Sequence, residues 1–354
     1  MNVLVTGGAG FIGSHIAEAY ARQGHGVVVL DNLSRARLLG RSDPHAHFTW
    51  EQLARTPNLT RLKGSILDRP LVRQAVAAAD AIVHTAGQTA VTTSVVDPAT
   101  DFETNAIGTF EVLEAARVTG RAIPVVFTST NKVYGENVNR VPIVERERRY
   151  AFGPGWEHGV PETLSVDGCE HTPYGASKLA ADLYVQEYAR LYHLPTAVFR
   201  MSCISGPRQF GVEDQGWVAH FVISALTGAP ITIYGDGKQV RDVLYIDDLV
   251  EAVQAFVARA SAFPEGLVGN VGGGSTFTLS LLELLDLLAA ETGRRPEVRF
   301  GPWRPSDQRV YISDIRRIRS LLGWAPRTLP DRAVKAMIQW VSEHLELFTG
   351  GARS

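Results

Sequence analysis

A glycine turn near the N-terminus constrains this chain more than any other feature. Val3-Leu-Val5 is a short apolar run that leads straight into Thr6-Gly-Gly-Ala-Gly-Phe-Ile-Gly13. An amphipathic stretch over 14–23 follows and ends at Gly24, and a second apolar run over 26–30 stops at Asp31. Strand, glycine turn, helix and strand in this succession make one βαβ unit, and parallel strands joined this way need helices on their faces. The rhythm continues: 81–84 reads as a buried strand, 104–118 as a helix, 125–129 as a strand, 177–192 as a helix and 196–200 as a strand. The expected class is α/β, with a parallel sheet covered on both sides.

The turn itself points to chemistry. Gly7, Gly10 and Gly13 are spaced three apart, and Gly8 completes G-x-G-x-x-G. Glycine at these places lets the backbone turn tightly, approach a pyrophosphate and pack the helix against the sheet. The helix N-terminus then offers free N–H groups and a positive dipole end. Asp31 ends the next strand, where a carboxylate accepts hydrogen bonds from both ribose hydroxyls and repels a 2′-phosphate. That favours NAD over NADP, with Arg35 and Arg37 left as side chains able to receive the extra phosphate.

A second constellation lies downstream. Tyr174-Gly-Ala-Ser-Lys178 sets a tyrosine and a lysine four apart at a helix start, on one face. A phenol titrates near 10 and is a poor base at neutral pH, so the expectation is that the neighbouring ammonium lowers it. Thr130, at the end of a neighbouring strand, can share the substrate's hydrogen bond. Such a set removes a proton from a hydroxyl while hydride leaves. A bare Y-x-x-x-K is common by chance, and the plain alternative is a solvated helix face. The glycine turn upstream and Thr130 weigh toward catalysis.

Length and composition bound the rest. At 354 residues the chain suits one large domain or two unequal ones. With 45% hydrophobic and 20% charged residues, and no apolar run of the roughly 18 residues a span needs, disordered, fibrous and membrane-spanning classes are excluded. Basic and acidic side chains number 35 and 37, so no polyanion surface and no nucleic-acid partner is expected. Only Cys169 and Cys203 are present, with no histidines at zinc spacing, so neither a disulfide framework nor a metal site is expected. A strand that begins at Asn2 leaves no room for a signal segment, and the expected compartment is the cytoplasm. Lysine is scarce, at positions 63, 132, 178, 238 and 335 alone. After Gly206 glycine and proline become frequent, and helices are expected at 278–291 and 330–346 without regular strands between them. Residues 135–173 read as a long loop of functional type, and 349–354 as a frayed tail.

Taken together, these motifs resemble the extended short-chain dehydrogenase/reductases that act on nucleotide sugars, over nearly the whole chain. The stretches that carry the likeness are Ala86-Gly-Gln-Thr-Ala-Val-Thr-Thr-Ser94, Ser129-Thr-Asn-Lys-Val-Tyr-Gly135, His171-Thr-Pro-Tyr-Gly-Ala-Ser-Lys178, Gly206-Pro-Arg-Gln-Phe210 with Asp214-Gln-Gly-Trp217, Gly235-Asp-Gly-Lys-Gln-Val-Arg-Asp242, and Ser306-Asp-Gln-Arg309. More narrowly, the Ser-Thr-Asn-Lys and Asp-Gln-Gly-Trp runs are similar to the CDP-paratose 2-epimerase group. The resemblance implies a Rossmann-type doubly wound sheet over 1–203, to which 241–262 returns, and a smaller C-terminal α/β substrate-binding domain over the rest of 204–354. It implies NAD, a nucleotide-sugar substrate (a CDP-hexose first), and a homodimer or homotetramer built through 104–118 and 177–192.

The resemblance also implies roles. Gly7, Gly10, Phe11, Ile12, Gly13, Asp31, Asn32, Ser34, Ser65, Ile66, Thr85, Ala86, Gly87, Asn105 and Ser129 would hold the cofactor, with Tyr174 and Lys178. Thr130, Tyr174 and Lys178 would be catalytic. Gln88, Thr93 and Asn131 would choose the ring carbon, and Cys203, Gln215, Gly216 and Trp217 would line the sugar diphosphate site. Arg241 and Arg304 can present planar forks to a diphosphate, Arg309 can add a third, and Asp307 can hold the nucleotide ribose.

A 4,6-dehydratase of this family needs an Asp-Glu pair just after the catalytic threonine, and Asn131-Lys132 stands there instead. An epimerase needs only to take a hydride, let the keto-sugar turn, and return it. A 2-epimerase is the leading expectation; another CDP-, GDP- or UDP-hexose epimerase acting at C2 or C4 is the alternative, ahead of a dehydratase or an NAD-sensing regulator, which typically lacks the Tyr–Lys pair. Two departures from the family stand out: Ser65 replaces an acidic contact to adenine, and Cys203 replaces an asparagine at the sugar diphosphate.

Overall fold

The computed structural model describes residues 1–35, 44–304 and 307–349; Arg37, Ser306 and the 350–354 tail lie outside the described residues. Its centre is a sheet of seven parallel strands: β1 (Asn2–Thr6), β2 (Gly26–Asp31), β3 (Leu59–Lys63), β4 (Ala81–His84), β5 (Val125–Thr130), β6 (Thr196–Met201) and β7 (Leu267–Val271). Their order is β7-β6-β5-β4-β1-β2-β3, so the direction of winding reverses between β1 and β4. A crevice opens at such a reversal, beyond the carboxyl ends of the strands.

The alternation of side chains along β1 explains why the sheet is covered twice. Val3 and Val5 point into one apolar core, packed under Phe11–Arg22, Ile246–Val257 and Arg316–Leu322. Leu4 points into the other, under Arg69–Ala77, Gly108–Arg117 and Pro173–Tyr192. β4 and β5 are buried at every position, as parallel strands in the middle of such a sheet must be. Among the polar side chains built into this interior, the His84 ring bridges the hydroxyls of Thr6 and Thr109, at 2.6 and 3.0 Å. Burial pulls His84 down to about 3, so it stays neutral between its two partners.

The helix carrying Tyr174 spans Pro173–Tyr192 and starts earlier than its apolar spacing suggests. Thr172 caps it by accepting from the Gly175 N–H at 3.3 Å, and Pro173 takes the first helical position, where its missing N–H costs nothing. The helix expected over 104–118 is Gly108–Arg117 preceded by one π-turn, Glu103–Ile107.

The C-terminal part differs from expectation in two ways. Strands Val298–Gly301 and Val310–Tyr311 do lie between the last long helices; they pair with Ile231–Tyr234 and Val240–Tyr245. Both are short, and the first is half-exposed, so no run of apolar residues marks it. The helix expected from 278 begins at Leu281, because Ser280 and Glu283 close a capping box and Thr278–Ser280 is itself a strand. The core of this cap joins Trp217–Thr227, Leu281–Thr292 and Pro330–Glu343. Residues 135–173 contain a hairpin of Ile143–Glu145 and Tyr150–Phe152, held to the cap by Lys238–Glu145 (2.6 Å), Arg149–Glu283 (3.1 Å) and the Tyr150 hydroxyl donating to Asp236 (2.6 Å). Among the described residues no helix is long and apolar enough to cross a membrane.

Candidate functional site

At the reversal between β1 and β4 lies a cavity of about 810 Å³. The glycine turn forms its floor. Gly7 has φ +69°, and a side chain there would put Cβ 2.5 Å from the Ala86 nitrogen; one at Gly13 would meet the Gly7 carbonyl at 2.4 Å. Asp31 braces the turn, accepting from the Ala9 N–H at 2.9 Å and the Leu33 N–H at 2.7 Å. Burial raises its carboxyl above the usual range, and these two donors pull it back. Asn32 accepts from the Ser34 N–H at 3.0 Å, Ser65 accepts from the Leu67 N–H at 3.2 Å, and the Thr85 hydroxyl donates to the Thr6 carbonyl at 2.7 Å. Gly10, Phe11, Ile12, Ile66, Ala86, Gly87 and Ser129 complete the wall. A floor bare of side chains, a helix N-terminus and a carboxylate at the end of β2 fit a dinucleotide. Arg35 is engaged elsewhere, donating to the Phe210 carbonyl at 3.0 Å and to Gln215 at 3.2 Å, which supports NAD over NADP.

Thr130 and Tyr174 face the same cavity. The expected lowering of Tyr174 by Lys178 is not found. Burial pushes the phenol up to about 12, and what pulls the other way is its hydrogen bond with Thr130. Lys178 is itself pulled down to about 7 by burial; its ammonium donates to the Thr128 carbonyl at 2.7 Å and lies 4.1 Å from the Phe127 ring centre. Desolvation therefore outweighs the lysine in the protein's own environment.

Asn105 and Lys178 stand behind the wall rather than in it. Asn105 is buried in the π-turn, where it accepts from the Gln88 N–H at 2.9 Å and donates to Asp101 and Ser177, each at 3.1 Å. A π-turn re-aims one side chain without ending the helix, and such turns frequent functional sites.

The residues expected around the substrate divide between two places. Gln88, Thr93, Cys203, Gln215 and Gly216 line the large cavity. Arg304, Asp307 and Arg309 line a second one of about 450 Å³ with Trp303 and Asn139. Arg241 joins this group through Asp307, at 2.8 Å. Arg304 pairs with Glu213 at 3.1 Å and Asp214 at 2.9 Å and lies over the Tyr234 ring; Arg309 lies over Trp303 and Tyr150. Besides Arg241, two expected residues line neither cavity. Trp217 packs on the cap core, and Asn131 sits beside Thr130, whose hydroxyl is 3.4 Å from its side-chain oxygen. Burial pushes the Cys203 thiol up to about 12, away from the thiolate form that a nucleophile needs.

Sequence reasoning missed Arg208. It lines the large cavity and makes a two-pronged ion pair with Glu18 on the helix after the glycine turn, at 2.7 and 3.0 Å. Its signal was in plain view as the third residue of Gly206-Pro-Arg-Gln-Phe210, read there only as a mark of resemblance.

Comparison with known proteins places this geometry. The chain is 39% identical over 351 residues to the CDP-paratose 2-epimerase of Salmonella typhi, covering 97% of this chain and 99% of that one. The crystal structure of the Thermotoga maritima UDP-glucose 4-epimerase with UDP-glucose superposes with a TM-score of 0.79 at 31% identity, over 98% of this chain and 100% of that one. The Thermus thermophilus UDP-glucose 4-epimerase in complex with NAD gives 0.76 at 30% identity, over 99% and 100%. The profile of the NAD dependent epimerase/dehydratase family matches residues 3–272. The chain belongs to the NAD dependent epimerase/dehydratase family, and it is an enzyme that works with NAD.

Proposed function

We propose that this enzyme is a nucleotide-sugar epimerase that inverts C2 of CDP-paratose to give CDP-tyvelose. The turn after β5 carries the reading. Thr130 stands against Tyr174 at the cavity wall, and the next two side chains are an amide and an amine, Asn131 and Lys132, where elimination needs acids. Likeness to a C2 epimerase over nearly the whole of both chains supports the same choice.

When bound, NAD supplies the acceptor that takes and returns a hydride, together with a positive charge beside the phenol. Tyr174 receives the proton of the C2 hydroxyl and gives it back once the sugar has turned its other face. Thr130 shares that hydrogen bond. Lys178, fixed by the Thr128 carbonyl, lies one helical turn from Tyr174 and favours its anion when charged. Asp31 meets the ribose, the glycine turn the pyrophosphate, and Asn105 holds the Gln88 turn in place. Arg241, Arg304 and Arg309 receive the sugar diphosphate, Asp307 the nucleotide ribose, and Gln88 and Thr93 the sugar. The cofactor half runs to about 203 with 241–262 returning to it, and the cap holds the nucleotide sugar.

The test is to incubate the enzyme with CDP-, GDP- and UDP-sugars in deuterium oxide and follow them by NMR. Inversion of CDP-paratose at C2 without deuterium uptake is expected. Inversion at C4 of a UDP-sugar would favour the alternative epimerase, and deuterium in the product would sink direct hydride return.

The same reading carries a homodimer. Leu183, Tyr184, Leu191 and Tyr192 on Pro173–Tyr192, and Val118 after Gly108–Arg117, are large apolar side chains left exposed on adjacent helices. Light scattering is expected to give at least twice the chain mass, and Leu191→Glu to lower it; a monomeric parent protein rules this assembly out.

A further inference from the structure

A nucleotide sugar is one molecule, yet its sugar is to enter the large cavity while its diphosphate meets Arg304 in the second. Between these two places lies a short turn of the chain. Val212 and Gln215 close it with two backbone hydrogen bonds, at 2.9 and 3.0 Å, so Glu213 and Asp214 ride at its tip as one unit.

The turn is fastened on both sides. Toward the large cavity, the Thr92 hydroxyl donates to Asp214 at 3.1 Å and the Gln215 amide donates to Thr89 at 2.5 Å. Thr89 and Gln215 belong to that cavity's wall. Toward the second cavity, Arg304 meets Asp214 at 2.9 Å and Glu213 at 3.1 Å, and the Tyr234 hydroxyl donates to Glu213. Asp214 thus ties Thr92, next to the large cavity, to Arg304 in the wall of the second.

A guanidinium that holds two carboxylates has little left for another anion. To present its fork to a diphosphate, Arg304 must first let go of the tip. The three side chains are between 30 and 42% exposed, and ion pairs so placed are weak. A contact that opens in every turnover has to be weak. We infer that Asp214, with Glu213, is a latch: it holds Arg304 across the boundary of the two cavities and gives it up to the diphosphate, whereupon the turn moves aside and admits the nucleotide sugar. Asp214 is then a positioning residue that acts through Arg304. This rests on the reading that Arg304 receives the diphosphate.

The test uses the NAD-loaded enzyme and follows CDP binding by stopped-flow tryptophan fluorescence, with Trp303 in the wall of the second cavity as reporter. A latched ground state lowers both association rate and affinity by the fraction of molecules that are open. Asp214→Asn is expected to speed association and tighten CDP roughly threefold, and the double variant Glu213→Gln, Asp214→Asn up to about tenfold. In an Arg304→Gln background the same changes are expected to gain nothing. Glu136→Gln is the control for charge alone: Glu136 accepts from Asn139 of the same cavity wall at 2.7 Å, and its loss is expected to leave association within about 1.5-fold of the parent. Arg304→Gln by itself is expected to weaken CDP roughly tenfold more than CMP. If it does, and the latch variants still bind at the parent rate, the latch is overturned and the diphosphate reading stands. A gain that persists without Arg304, or that Glu136→Gln reproduces, also overturns it. If Arg304→Gln binds CDP as the parent does, the diphosphate reading falls and takes the latch with it. UDP and GDP run in the same way decide the matter whichever nucleotide sugar is the substrate.

Discussion

Tyr174→Phe is expected to remove turnover, by roughly 10²–10⁴-fold or more, while the purified protein retains its NAD and its melting temperature. The substitution deletes one hydroxyl and keeps the ring. That hydroxyl faces the large cavity with Thr130, and nothing in the packing of Pro173–Tyr192 depends on it: the ring is buried, and the local hydrogen bonds run through the Tyr174 backbone, whose N–H donates to Ser94 and whose carbonyl accepts from Ser177. Because burial holds the phenol near 12 in the protein's own environment, its activation depends on charge brought to it. Lys178→Met is the companion variant, expected to lose both rate and NAD, since its ammonium anchors the end of β5 through Thr128. Single-turnover reduction of bound NAD by the sugar is the measurement; a phenylalanine enzyme that still reduces NAD at the parent rate would take Tyr174 out of the reaction.

Gly7→Ala, the smallest change that adds a side chain, is expected to cost several kcal/mol and to empty the cofactor site. The new Cβ would meet three backbone atoms of β4's continuation within 2.8 Å, the Ala86 nitrogen and Cα and the Thr85 carbonyl carbon, and no rotamer can move away from a backbone. The left-handed φ of +69° adds its own strain. Gly24→Ala is the control. It has φ +82° but open space around it, so it carries only the conformational penalty of about 1–2 kcal/mol. Urea unfolding and the NAD content of the purified variants separate the two. Should Gly7→Ala match Gly24→Ala in both, the close approach of β1 and β4 is not what shapes the cavity floor.

The sequence was most legible where the physics is local. The Thr6–Gly13 turn, Asp31 and the Tyr174–Lys178 spacing all lie within one or two turns of chain, and the structure brings the glycines, Asp31, Thr130 and Tyr174 to one cavity. What escaped depends on distant partners. β3 reads Leu-Thr-Arg-Leu-Lys and is partly exposed at the sheet edge, so its apolar content is low and pairing with β2 makes it a strand. The inward aim of Asn105 comes from a π-turn that no spacing rule announces. The direction of Tyr174's shift could not be read from Lys178 alone, because burial is a property of the folded surroundings. Arg241, Arg304, Asp307 and Arg309 were found as chemistry but not as a separate cavity, since the strands that set them apart are two to six residues long.

The order of the strands also has a bearing on how this chain is made. β7 and the helix Ile246–Val257 come after the whole stretch from Cys203 to Tyr245, and Arg316–Leu322 later still, yet all three finish the sheet and its first core. When a ribosome has released only the residues up to Met201, six of the seven strands exist. At that moment β6 presents an open edge where β7 will pair, and the apolar side chains of Ala197 and Phe199 lack the helices that will cover them. The cofactor cavity has its glycine floor by then, but the wall from Ser202 to Gly216 has yet to emerge. Synthesis therefore makes the first cap helix, Trp217–Thr227, before β7 can close the sheet and the other cap helices after it, so the two halves mature together rather than one after the other.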